Sequence, residues 1–169
     1  MNKAGIQHFL KAILAALLIQ SASFNSQAGQ TFKLDDIAGL SQDIHFQDYQ
    51  GKVILLDFWA SWCGPCRQSF PWMNDMQAKY AGQGLTIIAI NLDSESDAAR
   101  EFLTEVPASF VLGFDPEGKS AEAMQVEAMP MSYLIDRHGQ IRYRLMGFNS
   151  EKQSEHETHI KTLLSEPER

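Results

Sequence analysis

Two stretches of the chain are apolar at nearly every position rather than at every second or third: KVILLDFWA (Lys52–Ala60) and LTIIAINLD (Leu85–Asp93). A strand with one wet face alternates in polarity, whereas an almost unbroken β-branched and aromatic run marks a strand covered on both faces. Between the two runs the spacing changes. Cys66, Phe70, Met73, Met76 or Gln77, and Tyr80 recur at three and four residues, which predicts a helix with one inward stripe, stopped by Gly82 and Gly84. Pro71 falls inside that helix, where its missing N–H is expected to kink the axis. Strand, helix and strand with both strands buried predict a parallel βαβ unit with a right-handed crossover, and so an α/β fold.

The rest of the chain extends this unit. Ser94 and Ser96 are candidate caps for a helix reaching about Glu105, with Ala99, Phe102 and Leu103 inward. SFVLGFD predicts a strand closed by the turn DPEG (Asp115–Gly118), and a short helical segment follows at Ala121–Gln125. SYLID, RHGQ and IRYRLM predict an antiparallel hairpin. Ser150 with Gln153 has the spacing of a capping box for a last helix that turns His156, Ile160, Leu163 and Leu164 inward. Upstream, TFKL and IHF within Gly29–Asp48 predict small strands or a hairpin leading into the core.

A length of 169 residues with 44% hydrophobic residues suits a single core. A net charge of −7 without a run of four Lys/Arg argues against nucleic acid as a partner, since phosphate binding needs clustered cations. Residues 1–28 stand apart. Lys3 and Lys11, the apolar run Ala12–Ile19 and the small residues of Ser26–Ala28 read as a cleavable secretory signal, which leaves one domain over 29–169. The alternatives are an uncleaved membrane anchor, for which the apolar run is short, or a buried helix. Export, to the periplasm or beyond it, would place the domain where disulfides persist.

That matters because the only two cysteines, Cys63 and Cys66, lie in WASWCGPC at the junction of the first buried strand and the helix. Three chemistries compete for them. As a staple the pair would close so small a loop that it contributes only about 2 kcal/mol. As a zinc site it lacks a second ligand pair, and the two histidines of HETH (His156–His159) lie far along the chain on a helix predicted to leave one of them in solvent, so no metal is expected. As a reversible dithiol it is well placed. Cys63, at the helix mouth, would be held as a reachable thiolate by unpaired N–H groups and the helix dipole, with Cys66 one turn inside to resolve the mixed disulfide. Gly64 and Pro65 suit a tight helix start. Asp57, inside the buried run, is expected to have a raised pKa and to accept the proton of Cys66; the alternative is an acid that merely bonds backbone. Trp62 is expected on an exposed rim that docks partner polypeptides, and Trp59 in the core.

These residues resemble the thioredoxin superfamily. FWASWCGPC is nearly its signature, Asp57 and Pro71 match its buried acid and its helix proline, and VEAMPMSYLID resembles the loop of its cis-proline. GKVILLDFWASWCGPCRQSFPWMN, the additional αβ segment Ser94–Phe114 and LMGF narrow the resemblance to exported thiol-disulfide reductases of the TlpA, ResA and cytochrome-c-maturation type. It implies a mixed sheet with helices on both faces, extra N-terminal strands and a central αβ insertion. It also implies a cis Pro130 beside Cys63, with the Met129 backbone pairing to a substrate strand.

The expected activity is therefore exchange of electrons with disulfides of exported proteins. Cys63, Cys66 and Asp57 are the catalytic candidates, and Trp62, Gly64, Pro65, Met129 and Pro130 the substrate contacts. No organic cofactor is expected, a membrane thiol-disulfide donor would restore the reduced state, and the chain is expected to be a monomer. A disulfide oxidant or isomerase, or a binding module with a permanent disulfide, remain alternatives. Two departures bear on the subtype. Ser69 stands where many cytochrome-c-maturation reductases carry an acid, and the second strand offers no lysine to the buried Asp57. Ala60 stands where peroxiredoxins carry Thr, which disfavours peroxide reduction.

Overall fold

The computed structural model of the chain describes residues 30–40 and 42–167. The signal read at residues 1–28 lies outside them. The elements run β1 (Gln30–Thr31), β2 (Val53–Trp59), α1 (Gly64–Tyr80), β3 (Leu85–Asn91), α2 (Ser96–Glu105), β4 (Val111–Phe114), α3 (Lys119–Ala123), β5 (Met131–Ile135), β6 (Gln140–Met146) and α4 (Gln153–Ser165). The strands form one mixed sheet in the order β1-β6-β5-β2-β3-β4. β2 is its centre, parallel to β3 and antiparallel to β5. All seven residues of β2 are buried, as the unbroken apolar run requires.

Because side chains alternate across a strand, β2 feeds two cores. Val53, Leu55 and Trp59 join Phe70 and Met73 of α1, Phe102 of α2 and Ile160 and Leu163 of α4 on one face. Ile54, Leu56 and Phe58 join Ile37, Ile44, Phe46, Met124 and Tyr133 on the other. The first core is built on aromatic contacts, with the Phe70 ring 4.8 Å from Trp59, 5.1 Å from Phe102 and 5.2 Å from Phe110. α1 runs through Pro71 without interruption.

Several local expectations are corrected. Glu95, in extended conformation, precedes α2 without a side-chain cap, so neither Ser94 nor Ser96 caps it. α4 follows Lys152, whose N–H is taken by the Asn149 side chain at 3.0 Å, and the Ser150–Gln153 capping box does not form. Among the described residues upstream of β2, the expected small strands are reduced to the two-residue β1 and the antiparallel bridges Ile37–Ile44 and Gly39–Gly113, followed by a 3₁₀ turn at Phe46–Tyr49. The helix α4 leaves neither histidine of HETH in open solvent: His156 is buried, and His159 stacks on Tyr143 at 4.0 Å. No helix among the described residues is long and apolar enough to cross a membrane.

Candidate active site

β2 ends at Trp59 and α1 begins at Gly64, so the four residues between them carry the chain from the sheet into the helix mouth. Cys63 is the N-cap of α1. Its extended backbone turns the chain into the helix, and its sulfur accepts the Cys66 N–H at 3.3 Å. Pro65 occupies the first turn, where its lacking N–H leaves no bond unmade. Cys63 and Cys66 are joined by a disulfide with their Cα atoms 5.3 Å apart.

The two sulfurs are not equivalent. Cys66 is 0% exposed, and Cys63 keeps 4%. Cys63 is thus more enclosed than the expected reachable thiolate, because it is bonded to Cys66 and packed into the α1-side core. Gly64 and Pro65 are exposed beside it, and Trp62 is 72% exposed.

The Met129–Pro130 bond is cis. Met129 packs against the cluster that contains both cysteines, Pro130 is buried, and the Pro130 carbonyl accepts the Gly147 N–H at 2.9 Å. The loop before β5 and the end of β6 are thereby tied together, with Met129 against the core that contains the disulfide.

Asp57 shares its face of β2 with Leu55 and Trp59 and so lies in the core that holds Cys66. It is 1% exposed. Burial pushes its carboxyl up to about 7, opposed by a hydrogen bond that Ser132 Oγ donates to Oδ1 at 2.5 Å. Its Oδ2 is buried without a hydrogen-bond partner. Cross-strand register puts Ala89 opposite Asp57 on β3, so the acid meets a methyl group there and no charged side chain.

Sequence reasoning missed a second buried carboxylate. Asp93 accepts the Ser61 N–H at 2.9 Å, the Ser61 hydroxyl at 3.0 Å and the Asn91 amide at 2.8 Å. The polar pair Asn91 and Asp93 at the carboxyl end of an otherwise apolar strand was the available signal, since sites of open α/β sheets form at that end. Ser69 is buried, and its hydroxyl donates to the Cys66 carbonyl at 3.1 Å. A cavity of about 1020 Å³ lies elsewhere, lined among others by Phe32, Tyr49 and Arg137 and by none of the site residues above.

A CxxC disulfide at the mouth of the helix after the central strand, with a cis-proline bond leading into the neighbouring strand β5, defines a class: thioredoxin-like thiol-disulfide oxidoreductases. Comparison with known proteins supplies the family. The Redoxin family pattern matches residues 25–163, and the chain belongs to that family. It is 32% identical over 124 residues to the thiol-disulfide oxidoreductase ResA of Bacillus thuringiensis subsp. konkukian, covering 73% of this chain and 70% of that one. A Chlorobium tepidum crystal structure assigned as the thiol:disulfide interchange protein DsbE is 42% identical, with a TM-score of 0.81 over 83% of this chain and 100% of that chain. A secreted Mycobacterium tuberculosis disulfide oxidoreductase, 20% identical with a TM-score of 0.68 over 76% of this chain and 96% of that chain, shares the fold. The chain is accordingly an enzyme of thiol-disulfide exchange.

Proposed function

We propose that the protein is an exported disulfide reductase in which Cys63 attacks and Cys66 resolves. In the reduced protein the Cys63 thiolate, stabilised by the N–H groups of the first turn of α1, attacks one sulfur of a substrate disulfide. A bond forms between Cys63 and that sulfur, and the second substrate sulfur leaves as a thiolate that takes a proton. Cys66 then gives its proton to the Asp57 carboxylate and attacks Cys63, which expels the first substrate sulfur as a thiolate; that thiolate takes a proton from solvent, and Asp57 returns its own proton there. The substrate gains two electrons and two protons, and the protein is left as the Cys63–Cys66 disulfide. A carboxyl buried to about 7 is suited to this step, since it can both accept and release a proton near neutral pH.

The observation that carries the reading is the inequality of the pair: of the two sulfurs only Cys63 retains any surface, and it is next in the chain to the exposed Trp62. A substrate strand would lie across Trp62, Gly64 and Pro65 on one side and Met129 and Pro130 on the other, with the Met129 backbone pairing to it. The substrates are disulfides of other exported proteins, residues 1–28 direct export to the periplasm, a membrane thiol-disulfide donor restores the dithiol, and the chain works as a monomer without an organic cofactor.

The test is a Cys66→Ala variant expressed with its leader. It should accumulate mixed disulfides through Cys63 that thiol reductant releases; recovery without adducts would overturn the attacking role. Equilibration of the wild-type pair in redox buffers tests direction. A potential nearer the about −270 mV of a general reductant than the about −120 mV of a strong oxidant is expected, and the opposite result would make the protein an oxidant.

A further inference from the structure

Ser132 is a hydroxyl where the strand would favour a packing residue. The other four residues of β5 are buried, and serine has neither the branching nor the bulk that a central strand selects. It shares a face with Leu134, which belongs to the core of the cysteines, and cross-strand register sets it directly opposite Asp57. Its hydroxyl reaches Oδ1 of that carboxyl at 2.5 Å. On the other side of Asp57 the register neighbour is Ala89, which has no polar side-chain atom. Among the described residues Ser132 is therefore the only side-chain hydrogen-bond partner of Asp57, and Oδ2 is left buried without one.

We propose that Ser132 is the positioning residue for proton transfer by Asp57: its hydroxyl fixes Oδ1 and thereby leaves Oδ2 as the oxygen that exchanges a proton with Cys66. This rests on the proton-transfer reading of Asp57 given above. A serine hydroxyl is both donor and acceptor and rotates, so it donates to the ionised carboxylate and can adjust when the carboxyl is protonated, without movement of either strand. Among the buried side chains of the elements packed on this face, the titratable groups besides Asp57 are Cys63, Cys66 and Tyr80 of the α1 region, His156 of α4 and Asp93 beyond the end of β3, which is bonded to Ser61 and Asn91, and none is a permanent cation. Removing the hydroxyl leaves the ionised carboxylate without its donor, so proton acceptance from Cys66 should require a higher pH.

The experiment compares Ser132→Ala with the isosteric pair Ser132→Thr and Ser132→Val, which separates the hydroxyl from packing if alanine loosens the strand. Single-turnover release of a preformed mixed disulfide is followed from pH 5 to 9, together with carboxyl-carbon NMR titration of Asp57. The Ala and Val variants should be slowed about tenfold at pH 6 and approach the wild-type rate at pH 9, and threonine should restore the profile. Ala and Val profiles that superpose on wild type, with the Asp57 titration unmoved, would overturn the role of Ser132. An Asp57→Asn control distinguishes the two failures. If that variant is slow while the Ser132 variants match wild type, the Ser132 role alone falls; if it is as fast as wild type, the Asp57 reading falls and the proposal with it.

Discussion

Asp93 accepts both the backbone N–H and the hydroxyl of Ser61, and so the end of β3 holds the loop that delivers Cys63 to the helix mouth. The bond continues the parallel ladder past its last paired residues, since Leu92 N–H also donates to the Trp59 carbonyl at 2.9 Å. Asp93→Ala would strip the acceptor from Ser61 and from the buried Asn91 amide together. A loss of about 2–3 kcal/mol is expected in urea unfolding of the oxidised protein, with slower insulin reduction. Unchanged stability would show that water replaces the carboxylate.

The Asp57 carboxyl, raised from an ordinary value of 3.8 to about 7, makes stability fall with rising pH. The folded chain keeps a proton that the unfolded chain releases, so the contribution is fully present below pH 4 and is lost as the pH passes through about 7. Asp57→Asn removes this dependence. The stability of wild type relative to the variant should drop by about 4 kcal/mol between pH 4 and pH 8, read from urea unfolding at the two values. A constant difference would contradict the raised carboxyl.

His156 has the opposite sign. Burial against Trp72 and Phe148 lowers its pKa, so the unfolded chain takes up the proton first and stability is lost as the pH falls below the ordinary 6.5. Glu155 opposes the lowering, and His159 and Lys152 add to it. Acidification from pH 7.5 to 5 should therefore cost wild type more than His156→Phe, as thermal unfolding at each pH would register.

Gly84 sits at φ +98°, and a Cβ there would lie 2.8 Å from the Arg137 guanidinium. That guanidinium donates to the carbonyls of Gly51 and Gln83, joining the turns that precede β2 and β3 to the turn after β5. Gly84→Ala should cost about 1–2 kcal/mol from backbone strain, more if Arg137 is displaced, with a lower Tm as the measurement.

The elements that carry the site were legible because each is written in a local pattern. Unbroken apolar runs gave β2 and β3, a three-and-four spacing gave α1, and WCGPC at their junction placed the dithiol. The contrast between the exposed Trp62 and the buried Trp59 was also readable, the first beside the cysteine and the second inside the strand. The cis bond at Pro130 came from resemblance, since spacing carries no sign of it.

What stayed hidden depends on register between distant strands. Ser132 is an unremarked polar residue until β5 is laid beside β2, and Asp93 reads as a strand terminus until Ser61 is brought 32 positions back to meet it. The helix starts were missed for a related reason: Ser94, Ser96 and Ser150 have capping chemistry, but the chain enters α2 from Glu95 and α4 from Lys152. The predicted strands around TFKL and IHF shrank because the segment runs across a strand end and one sheet edge, and pairs with only a few residues.

That crossing segment guards the sheet. Phe114 N–H donates to the Ala38 carbonyl at 2.7 Å and Leu40 N–H to the Leu112 carbonyl at 3.1 Å, so the rim of β4 is already occupied. An uncovered rim of this kind recruits strands from other molecules. Proteolysis within residues 31–40 should therefore surface first as clumping of otherwise folded protein, well before any loss of its redox chemistry.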